Sequence, residues 1–558
     1  MSKKILVIGG VALGPKAASR ARRLDPDAEI TIVERGDSFS YAGCGMPFYI
    51  EGQIKDLEDL QKTSLGVLRD EKYFLNIKGI KLLGHTEALE INRHEKKVTV
   101  KNLQTEITYD IGYDKLVLGV GASPVVPPID GVKLNGVHRL YDPTDARAIR
   151  AEIDNGVERF TIVGGGLIGM EVCGALVSSG CSVTVLEMMD RLVPALLDAD
   201  MSLLLEKQLR KMGVRLGLGR RVSRIIGNES GRVSMVQTED GTQYETDMVI
   251  VAIGVRPNVK LAKDAGLAIG VTGAIAVNEY MQTSDPDIYA GGDCVENTDL
   301  LTGRKVYVPL GSTANKHGRV IGDNVTGRST RFKGVTGTVA FKLMNFNVGK
   351  TGLGEKEARE LGFDSIIAIT PRTDSSEYYP GNLPLTIKII ADRKGRLLGC
   401  QALGLGDVVK RIDVVASCLK FGANVEDLAD LDLGYAPPYS TAIDAIAHSA
   451  NVIRNKIEGV AHGISAAELK AKMGGEEDFL LLDVRSKQEI DEYPFIHRRI
   501  VNIPLGELRA RLGELEENKE IITLCRTSVR AYEAERILRG AGFKDVKFLD
   551  GSIAAWPY

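Results

Sequence analysis

The sequence has few cysteines, and none of them form a pair typical of a disulfide framework or a zinc site. Its 558 residues contain 7 cysteines, an odd number, and no two of them stand in a C-x-x-C arrangement. The histidines show no metal-ligand spacing either, so we expect no metal centre. Any exposed thiol should therefore be available for chemistry of its own.

A large net charge and long apolar runs are also lacking. Lys and Arg number 71 and Asp and Glu 74, which gives a formal charge of −3. That balance disfavours a nucleic-acid backbone or an anionic membrane as the main partner. No apolar run approaches the ~18 residues of a membrane span, and the first residues do not resemble a secretory leader. We expect a cytoplasmic protein.

Glycine, by contrast, is abundant. The chain has 61 Gly, a hydrophobic fraction of 44% and an aromatic fraction of only 6%. This composition favours an α/β protein over a disordered chain or a β-sandwich. Because a single hydrophobic core stops growing near ~250–300 residues, the length requires several domains.

One pattern occurs twice: a buried strand, a glycine turn, a helix, and a second strand that ends in an acid. The first copy occupies residues 5–8, 9–14, 15–24 and 29–34, and the second occupies residues 160–163, 164–169, 170–179 and 182–187. Glycines in such a turn let the backbone approach a pyrophosphate, the helix N-terminus supplies N–H donors, and the acid accepts a hydrogen bond from a ribose. The second turn matches G-x-G-x-x-G fully, whereas the first has Val11 in the third position. The sequence therefore predicts two Rossmann-like dinucleotide-binding domains.

Further glycine segments accompany these two units. Residues 116–124 and 249–257 each contain a buried strand that ends in a glycine turn, and residues 283–293 end in Asp293 beside two glycines. With these segments the chain resembles flavoproteins of the pyridine nucleotide-disulfide oxidoreductase family. The resemblance implies that the first domain binds FAD, with Asp293 on the ribityl chain of the flavin, and that the second binds NAD.

A small separate domain follows near the C-terminus. It has apolar strands at residues 479–485, 500–504 and 520–525, and Cys525 begins a loop that opens into a helix. These features resemble a rhodanese domain. A Cys in such a loop is surrounded by backbone N–H groups, which lower the thiol pKa and stabilise a persulfide anion, and Arg530 adds positive charge.

The two resemblances together imply a domain organisation in five parts. These are a discontinuous FAD-binding domain at residues 1–148 and 277–328, an NAD-binding domain at 149–276, an α+β dimerisation domain at 329–450, a linker at 451–460 and a rhodanese-like α/β domain at 461–558. We therefore expect a homodimer.

The family resemblance also implies which residues hold the cofactors. For FAD these are Gly9, Gly10, Val11, Ala12, Gly14, Glu34, Arg35, Ala88, Gly121, Ala122, Gly292, Asp293, Pro309, Leu310 and Ala314. For NAD these are Gly164, Gly166, Leu167, Ile168, Gly169, Glu171, Glu187 and Gly254. Because an acid at Glu187 repels a 2′-phosphate, NADH is favoured over NADPH.

Cys44 is the first candidate for a catalytic residue. It follows the first acid of the FAD unit by ten positions, and no partner cysteine stands four or five residues further on. The thiol must therefore cycle alone, as a mixed disulfide or persulfide with an external sulfur compound. This spacing resembles the coenzyme A-disulfide reductase branch of the family.

Two tyrosine segments resemble the same branch. They are Tyr378 in Y-Y-P-G and Tyr435 in Y-A-P-P-Y. The resemblance implies that both tyrosines reach the active cysteine of the partner subunit, where a phenol could donate a proton to a thiolate leaving group. The active site would then be shared between the subunits of a dimer.

Coenzyme A is a possible substrate or ligand. Residues at positions similar to those that meet coenzyme A in the family are Lys16, Arg20, Arg23, Ser40 and Asn315. Three positions depart from the branch: Leu13 replaces a glycine, Gly43 an asparagine and Ile443 a lysine. These departures favour a persulfide over coenzyme A disulfide.

The predicted activity is the NADH-dependent reduction of persulfide, polysulfide or low-molecular-weight disulfide sulfur at Cys44, with Cys525 exchanging sulfane sulfur. Coenzyme A-disulfide reduction is the nearest alternative. An NADH oxidase is a further alternative, although Ala12 stands where peroxidase and oxidase relatives carry a histidine. The last alternative is a redox sensor or sulfur carrier without significant turnover.

Overall fold

The computed structural model describes residues 2–558, which form two compact units. The first unit comprises the chain up to residue 186 together with residues 220–335. The second comprises residues 187–219 and 336–558. Among the described residues, every helix lacks either the length or the apolar character needed to cross a membrane.

A five-stranded parallel sheet forms the centre of the first unit. Its strands lie in the order Ile288–Ala290, Lys115–Leu118, Lys4–Ile8, Glu29–Val33 and Lys81–Leu83. After the exposed Lys4, the strand Lys4–Ile8 is continuously apolar and buried, as is typical of a parallel sheet that is covered on both faces. The helix Leu13–Leu24 follows it directly and leads to the strand Glu29–Val33.

Small residues allow two helices of this unit to approach closely. The helix Leu13–Leu24 packs against the helix Gly311–Asn324. A Cβ added at Gly318 would lie 2.8 Å from a backbone oxygen of the first helix, so only glycine fits there. Arg20 and Asp323 join the same helices through an ion pair of 2.5 Å. The glycine turn before the first helix is thereby held in a fixed position.

A second parallel sheet repeats the arrangement. Its strands include, in spatial order, Val137–His138, Met248–Val251, Arg159–Val163 and Ser182–Glu187. The helix Leu167–Ser178 connects the last two of these strands and buries most of its small and apolar side chains. The predicted pair of Rossmann-like sheets is confirmed.

The remaining elements of the first unit are short strands and helices. The antiparallel strands are Thr86–Asn92 with Lys97–Asn102 and Thr108–Gly112, Val222–Gly227 with Val233–Thr238 and Gln243–Glu245, Ala122–Pro124 with Val255–Pro257, and Asn297–Thr298 with Lys305–Val306. The helices are Gly43–Gly45, Met46–Glu51, Leu57–Gln61, Glu71–Lys78, Pro143–Asp154, Lys260–Asp264 and Gly292–Cys294.

The second unit contains an antiparallel sheet with helices against it. The strands lie in the order Val339–Leu343, Phe346–Gly352, Leu397–Gly404, Pro384–Asp392 and Ser365–Thr373. The helices Val408–Phe421 and Ala445–Ile457 pack against this sheet. The other elements of this part are the helices Ala199–Lys211, Glu355–Glu360 and Val425–Ala429 and the strand Arg215–Leu218.

A second, parallel sheet occupies the C-terminal part of the same unit. Its strands lie in the order Gly463–Ile464, Val546–Leu549, Glu520–Leu524, Phe479–Asp483 and Ile500–Asn502. Its helices are Ala466–Gly474, Lys487–Glu492, Leu505–Leu508, Leu512–Glu514, Val529–Gly540 and Ile553–Ala555. Together with the antiparallel sheet, this arrangement confirms the predicted fold class of two Rossmann-like domains, an α+β domain and a small α/β domain.

Candidate active site

The first glycine turn lies close to the backbone of Gly119 and to the side chain of Glu34. Gly9 has a φ of 108°, and a Cβ there would lie 2.2 Å from the Gly119 carbonyl oxygen. The amides of Gly10 and Gly36 donate to the two carboxylate oxygens of Glu34 at 2.6 and 2.8 Å. The turn therefore has no side chain at Gly9 and Gly10 and lies beside an acid held in one orientation, as the binding of a pyrophosphate and a ribose requires.

Asp293 carries a buried oxygen without a protein partner. Its Oδ1 accepts no hydrogen bond from any described residue, and burial raises the pKa of this carboxyl group. Leaving a buried acceptor unsatisfied is costly, so a hydroxyl-bearing ligand would stabilise the site. Beside it, Gly292 has a φ of 74° and donates its amide to Nδ1 of His317 at 3.1 Å. The chemistry of this oxygen fits the ribityl chain of a flavin.

The other predicted FAD residues belong to the same unit. Val11, Ala12 and Gly14 lie in or beside the first turn, Gly121 and Ala122 follow the strand Lys115–Leu118, and Pro309, Leu310 and Ala314 lie at the start of the helix Gly311–Asn324. Two predicted residues lie on other elements. Arg35 is exposed, with Glu87 4.0 Å away, and Ala88 pairs with Val100 in a small antiparallel sheet.

The second glycine turn repeats the geometry of the first. A Cβ at Gly164, where φ is 111°, would lie 2.4 Å from the Ala252 carbonyl oxygen, whereas a Cβ at Gly166 would meet no protein atom within 4 Å. Leu167, Ile168, Gly169 and Glu171 lie in the first turns of the following helix, and Gly254 has a φ of 104° in a nearby loop. Glu187 ends its strand, and its Oε1 accepts from the Met189 amide at 2.7 Å.

Cys44 lies in the short turn Gly43–Gly45, immediately before the helix Met46–Glu51. That helix packs against the helix Leu167–Ser178, which carries Glu171. Cys44 is exposed at the surface of the chain. Neighbouring protein atoms nevertheless remove part of its hydration, which raises the pKa of the thiol, and the charges of Glu171 and Asp293 raise that pKa further.

Glu171 is the feature of this site that sequence reasoning missed. The sequence predicts Glu171 only as an NAD-binding residue, but the helix packing also places it in the electrostatic environment of Cys44. Burial raises the pKa of Glu171 to about 7. A carboxyl group with such a pKa can release or take up a proton near neutral pH. No local sequence signal indicates this, because the relation depends on packing between two helices.

The basic residues on the first helix differ in their environments. Arg20 is ion-paired with Asp323, whereas Lys16 and Arg23 are exposed. Ser40 has a φ of 49° and donates its amide to the Gly10 carbonyl oxygen at 2.8 Å, next to the first turn. The Asn315 side chain donates to the Gly311 carbonyl oxygen at 2.9 Å.

The two predicted tyrosines lie together on the surface of the second unit. Tyr378 is 75% exposed and Tyr435 is 51% exposed. Their hydroxyls share a hydrogen bond, which raises the pKa of Tyr435. The other large apolar side chains exposed in these two segments are Tyr379, Leu383, Tyr439 and Ile443. Several exposed large side chains in two neighbouring segments are typical of a protein interface.

Cys525 lies at the end of the strand Glu520–Leu524, with only 1% of its surface exposed. Its amide donates to Ser552 Oγ, and Ser552 Oγ donates to the Cys525 carbonyl oxygen, both at 2.7 Å. Arg530 forms two hydrogen bonds with the Glu489 carboxylate, at 2.8 and 2.5 Å, which lower the pKa of Glu489 to about 2. The charge of Arg530 is thus largely balanced by Glu489, a partner that the sequence did not reveal.

The fold and the two thiol sites define a flavin-dependent oxidoreductase joined to a sulfur-handling domain, and the comparisons with known proteins agree. Residues 3–318 match the pyridine nucleotide-disulphide oxidoreductase family, residues 338–447 match the dimerisation domain of that family, and residues 465–557 match the rhodanese-like domain. The chain belongs to the pyridine nucleotide-disulphide oxidoreductase family. It is accordingly an oxidoreductase whose cofactors are FAD and a pyridine nucleotide.

Individual relatives narrow the class. The chain is 38% identical over 456 residues, 81% of its length and 99% of the relative, to the NAD(P)H coenzyme A polysulfide/persulfide reductase of Pyrococcus horikoshii. It is similar to the structure of an NAD-dependent persulfide reductase from A. fulgidus, with 43% identity and a TM-score of 0.94 over 99% of this chain and 100% of that chain. The chain is also similar to the crystal structure of reduced Bacillus anthracis CoADR-RHD, with 36% identity and a TM-score of 0.92 over 100% of this chain and 98% of that chain.

Proposed function

We propose that this protein is an FAD-dependent NADH oxidoreductase that reduces persulfide or polysulfide sulfur at Cys44. The observation that carries the proposal is a single exposed thiol, without a second cysteine in its turn, in the same electrostatic environment as Asp293 and Glu171. The names of the similar persulfide reductases support it. Glu187, at the end of its strand, favours NADH over NADPH.

Cofactor binding follows from the two glycine turns. The Gly9 and Gly164 turns would hold the pyrophosphates of FAD and NADH, and the unpartnered oxygen of Asp293 would accept a hydrogen bond from a ribityl hydroxyl. When bound, FAD receives a hydride from NADH and supplies the electron pair for sulfur reduction. The chain's own contribution is to orient both groups and to hold the sulfur substrate at Cys44.

The proposed sulfur chemistry at Cys44 needs no reactant other than NADH, a proton and the persulfide R–S–SH. The thiolate attacks the inner sulfur of R–S–SH, a Cys44–S–S–R disulfide forms, and HS⁻ leaves. Two electrons that originate from NADH then break this disulfide, which releases the thiol and restores the Cys44 thiolate. The sum is NADH, a proton and R–S–SH giving NAD⁺, R–SH and H₂S. Glu171, with its pKa of about 7, is suited to supply the proton to a departing thiolate.

The active site is completed by a second copy of the chain. Tyr378 and Tyr435 are exposed and hydrogen-bonded to each other, and they belong to a dimerisation domain. In the homodimer they face Cys44 of the partner subunit, where a phenol donates a hydrogen bond to a thiolate leaving group. Cys525 exchanges sulfane sulfur with the same pool of small thiols. A cytoplasmic location would keep both cysteines reduced.

The decisive variant is Cys44→Ser. We expect it to abolish NADH-driven sulfide release from a persulfide while flavin reduction by NADH, followed by stopped-flow absorbance, remains at the wild-type rate. The matched control is Cys181→Ser, which removes a half-buried thiol of the same unit. Sulfide release that continues in Cys44→Ser would contradict the proposal.

Coenzyme A-disulfide reduction is a second candidate, favoured by the exposed Lys16 and Arg23 on the helix after the first turn. The similarity to the structure of CoADR-RHD also supports this candidate. A comparison of kcat/KM for coenzyme A disulfide and for a persulfide separates the two activities, and we expect the larger value for the persulfide. Oxygen uptake without a sulfur compound would indicate an NADH oxidase, and slow flavin reduction by NADH would indicate a sensor.

A further inference from the structure

The backbone of the Cys525 loop is held by the segment that follows the last strand. Besides the two hydrogen bonds to Ser552, the Cys525 carbonyl oxygen accepts from the Ile553 amide at 3.2 Å. The next loop residue, Arg526, accepts at its carbonyl oxygen from the Ala554 amide at 2.9 Å. The position of Cys525 therefore depends on the position of residues 552–554.

This segment is in turn fixed to the dimerisation domain. Lys456, on the helix Ala445–Ile457, forms a buried ion pair of 2.5 Å with Asp550 and also donates to the Ile367 carbonyl oxygen at 2.8 Å. A Cβ at Gly551 would lie 3.0 Å from Ile369, on the strand Ser365–Thr373. The thiol loop of one domain thus rests on a strand and a helix of another.

The same strand and helix carry Arg372 and His448. The Arg372 guanidinium contacts Nε2 of His448, and burial lowers the pKa of His448 to about 4, so the imidazole is neutral near pH 7 and accepts the hydrogen bond. Within residues 2–558, no carboxylate lies within ion-pair distance of Arg372. The strand Ser365–Thr373, which carries Arg372, also contacts the helix Ile553–Ala555, whose amides bind the Cys525 loop. In agreement with this packing, burial lowers the pKa of Arg372, while the charges of Glu377 and Cys525 raise it.

The arginines of the loop itself are differently placed. Arg530 is paired with Glu489, and the exposed Arg526 lies over the ring of Tyr493 at 4.9 Å. Arg372 is therefore a half-buried cation, on a strand beside the Cys525 loop, whose charge is not balanced by an ion pair. A guanidinium in that situation is suited to bind a sulfur anion.

We propose that Arg372 of the dimerisation domain, oriented by His448, is a substrate-binding residue of the Cys525 site and binds the anionic sulfane-sulfur donor. This inference extends the sulfur-exchange part of the proposed function. The Cys525 thiolate attacks the outer sulfur of R–S–S⁻ or of thiosulfate, and a Cys525–S–S⁻ persulfide forms. The donor S–S bond breaks, with its electron pair leaving on R–S⁻ or on sulfite. No oxidant or reductant is required. The guanidinium binds the donor anion before attack and the persulfide anion after it.

The test measures sulfur transfer to cyanide without NADH, so that Cys44 does not contribute. The donors are thiosulfate and glutathione persulfide, and the variants are Arg372→Gln and Arg372→Lys in the full-length holoenzyme. We expect Arg372→Gln to lower kcat/KM about tenfold with both donors, mainly through a higher KM, because one charge-assisted hydrogen bond is lost. Arg372→Lys keeps the charge and should recover most of the loss.

The matched control is Arg393→Gln, which changes an exposed arginine of the same domain. It should leave sulfur transfer unchanged. A kcat/KM of Arg372→Gln within twofold of the wild type would overturn the proposal, as would equal losses in Arg372→Gln and Arg372→Lys, which indicate a structural role. Because Cys44→Ser is judged by NADH-driven sulfide release, either proposal can fail while the other stands.

Discussion

At the scale of single residues, charge and burial decide which thiol reacts and which group donates a proton to it. Cys44 is exposed but has a raised pKa, partly because Glu171 and Asp293 are close to it. A thiol of this kind gains nucleophilicity when Glu171 is protonated, since the nearby negative charge is then removed. Glu171 and Cys44 should therefore titrate as a coupled pair.

The variant Glu171→Gln tests this coupling. In the wild type the protonated carboxyl group of Glu171 is present below its pKa of about 7, so kcat for persulfide reduction should fall as the pH rises through that value. The fall is expected in kcat because Cys44 is then held in the disulfide, so that its own ionisation does not offset the loss of the donor. In Glu171→Gln this decline should be absent, and kcat should be lower by roughly 100-fold, as for loss of a general acid. The measurement is a pH series of steady-state rates.

Alkylation of Cys44 provides an independent measurement on the same variant. Because a negative charge is removed, the midpoint pH for iodoacetamide reaction should decrease in Glu171→Gln. Glu239→Gln, an exposed acid of the same unit, is the control and should leave both profiles unchanged. An unchanged pH profile in Glu171→Gln would show that the carboxyl group does not act on Cys44.

At the scale of elements, the glycine turns are the part of the molecule that the sequence predicted best. Strand, turn, helix and terminal acid are local features, and the structure reproduces them within a few residues at both sites. The first helix begins at Leu13 rather than Pro15, because a proline fits the first turn of a helix without breaking it.

Two alanine variants of the second turn distinguish an effect on stability from an effect on NADH binding. Gly164→Ala places a methyl group 2.4 Å from a carbonyl oxygen at a φ of 111°, so we expect the NAD-binding domain to lose about 2 kcal/mol or more of stability. Gly166→Ala meets no protein atom and should unfold like the wild type. If Gly166 approaches the pyrophosphate, Gly166→Ala should still raise KM for NADH. Thermal unfolding and NADH titration distinguish these effects.

At the scale of the whole molecule, the proposed reaction needs two chains. Tyr378 and Tyr435 are exposed in the single chain, and in the proposed homodimer they would reach Cys44 of the partner subunit. The decisive measurement uses mixed dimers of Cys44→Ser and the double variant Tyr378→Phe, Tyr435→Phe, each expected to be nearly inactive alone.

Coexpression of the two variants should restore sulfide release. If half of the dimers are mixed and each mixed dimer has one intact site, activity should return to about a quarter of the wild-type value, as expected for an isologous two-fold dimer. Activity no higher than the average of the two parent variants would show instead that each site is built within one chain.

The sequence by itself determined the features that are local in the chain. These are the two dinucleotide turns, the absence of a second cysteine beside Cys44, and the loop that begins at Cys525, because each depends on residue types at short spacing. Only the tertiary structure decided which charged groups lie close enough to interact with one another. Glu171 raises the pKa of Cys44 across two packed helices, Glu489 balances the charge of Arg530, and a strand of another domain places Arg372 beside the Cys525 loop. Contacts between residues distant in sequence arise only when the elements pack.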